Sequence, residues 1–204
     1  VTTTSASNGS ISLTAKDFVR QLSTGDITAG GTGTIDVEVS TGTTSGVITM
    51  DDGAATASTS GNIRYVATTT LSLGTIATSG NVSLQATSIT DSADDDGSQS
   101  PDIDVTASSL RVQTSANGFG EASKHIETTI GTLAATLTNG NLFVTETNDI
   151  TIDTVDTIVV NRVTDAGSIT NSIKTDNALS DIATGTGHVV IDATDITVKG
   201  GGDT

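Results

Sequence analysis

Six carboxylates lie within the fourteen residues from 91 to 104: Asp91, Asp94, Asp95, Asp96, Asp102 and Asp104, with Gly97 among them for a tight bend. Hard oxygen ligands at this density suit Ca²⁺ rather than a transition metal, with extracellular sites binding it at about 10⁻⁴–10⁻³ M. The spacing is not that of an EF-hand. With Asp94, Asp96 and Gly97 laid on that pattern, Ser92 takes the first ligand position and Ile103 stands where a bidentate Glu is needed. The stretch therefore has two readings, a calcium site or a solvated acidic loop that holds neighbouring molecules apart by repulsion.

Other chemistry is thinly spread. Asp149, Asp153 and Asp156 are close in sequence and could supply the carboxylate pair that sugar hydrolysis requires, but Asp is abundant throughout. Aromatic side chains for stacking on sugars are few: Tyr65, which has inward parity, and Phe18, Phe119 and Phe143. His125 and His188 stand alone, without a second ligand at metal-binding spacing, and read as solvated surface residues. The chain contains no nucleophile elbow and no phosphate loop. Thr68/Thr70 and Thr145/Thr147 sit at different offsets from their preceding glycines, which breaks the flat array that an ice-binding face needs. These observations point away from an enzyme and to a scaffold.

Composition sets the same bounds. Acidic residues outnumber basic ones 24 to 8, and a net charge of −16 disfavours nucleic acid or an anionic membrane as partner. Aromatic residues make up 2% of the chain, so the core must be narrow and built from Val, Ile and Leu. Cysteine is absent, which excludes disulfides and thiolate metal sites. No apolar run approaches the roughly 20 residues that span a bilayer as a helix.

The elements that would position any site are short alternating strands between glycine turns. The stretch Gly61-Asn62-Ile63-Arg64-Tyr65 through Ile76 returns 79 residues later as Gly140-Asn141-Leu142-Phe143-Val144 through Val155. The stretch from Gly80 to Thr90 returns as Gly187 to Thr197, and shorter units begin at Gly9, Gly25, Gly33 and Gly46. Such repetition at a fixed scale decides fold class. Between Gly61 and Gly140 the turn anchors fall near 80, 102 and 118, giving steps of 19, 22, 16 and 22 residues. A unit of about 20 residues holding two or three strands suits a parallel β-helix, whose coils stack about 4.8 Å apart.

The expectation is an all-β β-solenoid of about nine or ten coils, with residues 91–104 ejected between coils and a short helix or turn near 121–130. If Gly61 and Gly140 occupy equivalent corners, they are about four coils apart. The interior rows should include Ile63, Leu71, Leu73, Val82, Leu84, Leu142, Val144, Ile150, Ile152, Val189 and Ile191. Ser12, Thr28, Ser83, Thr151 and Thr197 should face outward, half exposed. Asn62, Asn81 and Asn141 follow turn glycines and serve either as plain turn residues or as an amide ladder between coils.

The units Gly61-Asn62-Ile63-Arg64-Tyr65 and Gly80-Asn81-Val82-Ser83-Leu84-Gln85-Ala86-Thr87 resemble the repeats of giant bacterial surface proteins of the filamentous-haemagglutinin-like adhesin type. The run from Asn117-Gly118-Phe119-Gly120 through Gly131-Thr132-Leu133-Ala134-Ala135 to Gly140-Asn141-Leu142-Phe143-Val144-Thr145-Glu146 does so more fully. The likeness covers most of 60–155 and extends loosely to the flanks. It implies a right-handed parallel β-helix in an exported, very long protein at the bacterial cell surface. On this reading residues 1–204 form a single segment of a longer repetitive chain. The function expected is a non-catalytic stalk or fibre that associates with copies of itself or with flanking repeats. The alternatives are an adhesin module binding a glycan or host protein and, more remotely, a polysaccharide-acting β-helix enzyme.

Overall fold

Alternation of Val, Ile and Leu with Thr and Ser produces twenty strands and, among the described residues, no helix. The computed structural model describes residues 1–3, 8–40, 45–92, 103–164 and 172–200. Eighteen of the strands form one sheet, and every pairing within it is parallel. In the first half each strand pairs with the one three places further along the chain. Ile11–Ala15 pairs with Ile35–Val39 and then Ile63–Val66, while Phe18–Gln21 pairs with Val47–Met50 and then Thr70–Leu73. Three walls result, and the path is compatible with a β-solenoid. Gly61–Ile76 and Gly80–Thr90, the two stretches whose antiparallel pairing would rule this out, are joined in parallel through Ile63↔Val82 and Leu71↔Ile89.

Identical parity from rung to rung gives continuous apolar rows. In the second wall Ile11, Ile35, Ile63, Val82, Leu110, Leu133, Ile152 and Val198 follow one another in register, eight rungs among the described residues. The third wall runs Val19, Ile48, Leu71, Ile89, Phe119, Leu142, Val189. Ile35 through Leu133 and Ile48 through Leu142 are fully buried. Each such side chain contributes roughly 1.5–3 kcal/mol by leaving water. Tyr65 is inside as its parity requires.

The glycines show how the rungs are spaced. A Cβ on Gly61 would stand 2.1 Å from the Gly33 carbonyl oxygen, and one on Gly33 would stand 2.3 Å from that of Gly9. These residues form a column at the corner before the second wall, where successive backbones touch. Gly140 belongs to another column. Its φ is +94°, its Cβ would meet the Gly118 nitrogen at 2.3 Å, and a Cβ on Gly187 would meet the Gly140 carbonyl. That column precedes the third wall. Gly61 and Gly140 are therefore not equivalent corners, and the 79-residue repeat is one turn-and-strand motif reused on a different wall. Steps along the second-wall row are correspondingly 24, 28, 19, 28, 23 and 19 residues, then 46 between Ile152 and Val198.

Of the short helix or turn expected near 121–130, the structure has the turn: Glu121 and Lys124 exchange backbone hydrogen bonds of 2.7 and 3.1 Å. A strand, Ile126–Leu137, follows, because Ile126, Thr128 and Ile130 alternate inward. Other expectations are corrected. Val189 is 45% exposed, since it belongs to the last described rung and nothing packs over it. Ser83 is fully buried rather than half exposed, for a reason given below. The sequence also marks Gly167-Ser168-Ile169 as a strand, and that stretch lies outside the described residues.

Removing the backbone-to-backbone approach should be costly. Gly61→Ala is expected to lower stability by about 1–3 kcal/mol in urea titration, because the obstructing atom is main chain and cannot rotate away. Gly200→Ala, with nothing within 4 Å of the added carbon, serves as the neutral control.

Candidate functional site

Among the described residues, the largest assembly of paired charged side chains lies on the outside of the second wall. After Ile152 the chain leaves this wall, forms a hairpin in which Ile158–Asn161 pairs antiparallel with Ile173–Asp176, and rejoins it at Ile182. The hairpin lies on the outward positions of the wall. Its root is apolar: Val155, Ile158 and Leu179 pack on Ala134. Its middle is ionic. Arg64 donates through Nη1 to Asp36 at 2.9 Å and to Glu38 at 2.8 Å, and through Nε to Asp176 of the hairpin at 3.1 Å. Arg162 of the hairpin donates to the same two acids, to Asp36 at 2.7 Å and to Glu38 at 2.7 Å. Arg111 donates to the Asn177 carbonyl at 2.9 Å and reaches Ser83 at 3.5 Å, and this cover accounts for the burial of Ser83.

Asp36 is wholly buried, and Arg64 and Asp176 nearly so. Burial alone would raise the Glu38 carboxyl, but hydrogen bonds from Arg162 and Arg64, reinforced by their charges, bring it down to about 2. Burial likewise works against the Arg64 charge, and its acidic partners more than offset it, so that its affinity for the proton is raised. Glu38 held in this way is ionised at neutral pH. The arrangement fastens chain to chain.

A second cluster has the opposite electrostatics. Asp91 sits on the third wall in register with Leu73, and Asp104 sits in the turn into the first wall. Both are buried, at 8% and 3% exposure. The Asp104 carboxylate accepts the Glu127 backbone N–H at 2.9 Å. Burial, and next the charge of Asp91, push the Asp104 carboxyl up to about 10, so it is protonated at neutral pH. Of the six proposed calcium ligands, these two therefore lie within the fold rather than in a solvated loop, because Asp91 keeps the inward parity of its strand. Asp94, Asp95, Asp96 and Asp102 lie outside the described residues. Among the described residues no group of three or more His, Cys, Asp or Glu is placed to hold a metal ion.

The remaining candidates are dispersed. Asp149 and Asp156 are exposed, and Asp153 faces Lys199 at 3.6 Å. Thr147 meets Thr129 of the rung below at 2.8 Å on the first wall, whereas Thr70 belongs to the third. His188 is exposed. His125 is not simply solvated: it is half buried, stacks on Phe143 at 5.4 Å and hydrogen-bonds Thr145 at 3.0 Å. Phe119 is in the core and Phe18 is exposed on the first rung. The turn asparagines do join rungs, through the backbone: Asn62 accepts the Asn81 N–H at 3.0 Å and Asn141 that of His188 at 2.8 Å.

A further surface is apolar. The last rung exposes Val189, Val190, Ile196 and Val198. An open groove of about 500 Å³ lies there, with Ile152, Ile182, Val189, Ile191, Ile196 and Val198 in its lining.

No family model, no curated protein and no solved structure matches this chain.

The Asp91–Asp104 corner gives a signed pH dependence. A carboxyl whose folded-state value lies near 10, against about 4 when unfolded, binds its proton more tightly in the folded protein. The stability it contributes is full below about pH 4 and is lost as pH rises toward 10. Glu38 acts in the opposite sense, its contribution being present above about pH 4.3 and lost as pH falls through 2. In denaturant midpoint, the advantage of Asp104→Asn over the parent protein should be larger at pH 8 than at pH 5. An equal deficit at both values would contradict the assignment.

Proposed function

We propose that the chain is a right-handed parallel β-helix of about eight coils that serves as a non-catalytic structural segment of an exported bacterial surface fibre. The observation that carries this reading is the way the interior rows end. Val198 stands in the row of Ile11 and Val189 in the row of Val19, both with core parity, and they are 73% and 45% exposed. At the opposite end Val1, Phe18 and Leu22 are exposed and Leu13 is half buried. Uncovered strand edges pair readily with another strand. A further rung set on the last one would continue each row in register, and the first rung of a second copy supplies the same columns of side chains. Such stacking builds length without a dedicated interface, as a stalk requires.

The charge supports the same reading. A net charge of −16 would keep neighbouring fibres apart, while Val189, Val190, Ile196 and Val198 leave the last described rung apolar.

End-to-end association is the test. Sedimentation velocity should show oligomers growing with concentration, and the double change Ile196→Lys/Val198→Lys should return the protein to monomer without changing its β-sheet circular dichroism. A clean monomer at every concentration, unaffected by the double change, would contradict end-to-end assembly.

A further inference from the structure

The hairpin that leaves the second wall at Ile152 covers more of the molecule than its length suggests. Ser12, Asp36, Arg64, Ser83, Arg111 and Ala134 are six consecutive outward positions of that wall, each in register with the next. At the strand spacing they extend over about 24 Å. Each is touched or covered by the hairpin. Ala134 packs against Val155 and Ile158, Arg111 holds the Asn177 carbonyl, Ser83 is buried beneath Arg111, and Arg64 and Asp36 hold Asp176 and Arg162. At the far end Ser12 accepts the Val163 N–H at 2.8 Å and donates to the Asn161 carbonyl at 3.3 Å. Asn161 also donates from its backbone to Thr34 at 2.7 Å.

We propose that this hairpin is a strap that binds the first rung to the seventh and makes the stack open as one unit instead of fraying from its N-terminal end. The reasoning starts from what a linear stack lacks. Each rung of a repeat protein touches only its neighbours, so an end rung can detach with the loss of one interface. The first rung is poorly buried, with Leu13 and Val19 half covered and Phe18 and Leu22 exposed. The hairpin supplies that rung with contacts 149 and 151 residues away in sequence. Its anchorage is graded, from apolar at the root through the ion cluster to hydrogen bonds at Ser12. Opening the first rung therefore means releasing hairpin contacts as well as the bonds to the second rung. The inference rests on the parallel register and not on what the fibre does.

The strap can be removed with little distortion, because the Asp181 N–H lies 3.4 Å from the Asp153 carbonyl. The experiment replaces residues 154–180 by two glycines and follows amide hydrogen exchange. Exchange should accelerate roughly tenfold or more in Ile11–Ala15 and also in Phe18–Gln21, a strand of the same rung on the third wall, with Asn141–Glu146 unchanged. Acceleration confined to Ile11–Ala15 would mean that the hairpin is only a cover, and no acceleration would mean that it carries no load; either overturns the proposal. A second variant guards against a deletion that fails to fold. In this cysteine-free chain, Ser12→Cys/Val163→Cys should form a disulfide under oxidation and slow exchange across both first-rung strands relative to the reduced protein. Equal exchange in the two redox states would overturn the proposal on its own.

Discussion

Everything in this protein depends on parallel register held over many rungs with a core only one side chain deep. With four aromatic residues in 204, one Tyr and three Phe, burial must come from Val, Ile and Leu repeated in rows. A row works only if each rung keeps the parity of the one beneath it, since a slip of one residue would turn a whole strand inside out. Glycine columns permit this by letting backbones touch at the corners. Gly9, Gly33 and Gly61 hold one corner, and Gly118, Gly140 and Gly187 hold another. Inward polar groups are admitted where they find partners, as where the Tyr65 hydroxyl meets Thr56 at 2.7 Å. Glu146, at the turn from the first wall, accepts from Thr128, Ile130 and Asn148 at 2.8–3.1 Å.

Charge is distributed by the same logic. Two of the four arginines, Arg64 and Arg162, neutralise Asp36, Glu38 and Asp176 beneath the hairpin. Taking one partner from such a cluster leaves a buried charge unpaired, at a cost of about 3–5 kcal/mol. Where the chain buries acid beside acid, at Asp91 and Asp104, a proton takes the place of the arginine. The two clusters thus respond to acid in opposite directions.

Much of this was legible in the sequence. Period-2 alternation marks the strands, and Ile63, Leu71, Val82, Leu84 and Leu142 are interior as parity requires. The turn glycines mark the corners but do not say which corner, because the motif at Gly61 fits before either wall. That ambiguity hid the unequal coil lengths. The short element at Glu121 read as a helix or a turn because Glu121 and His125 are one helical turn apart, and the backbone bonds to Lys124 close the tighter of the two. The ion cluster was invisible for another reason. Asp36 lies between Ile35 and Val37 and Arg64 between Ile63 and Tyr65, the usual appearance of an outward position. Only the register that sets Asp36 beside Arg64, with Arg162 brought over from 126 residues away, makes them a buried site.

The central claim is stacking in register, and distances along one row test it most directly. Thr28, Ala57, Ala77, Thr106 and Thr129 are successive outward positions of the first wall, and Thr147 follows, hydrogen-bonded to Thr129 at 2.8 Å. Spin labels placed at position 28 and, in turn, at 106, 129 and 147 should give electron paramagnetic resonance distances rising in equal steps, near ~14, ~19 and ~24 Å. Distances that failed to rise in that order, or that placed 28 and 147 closer together than 28 and 106, would contradict the account.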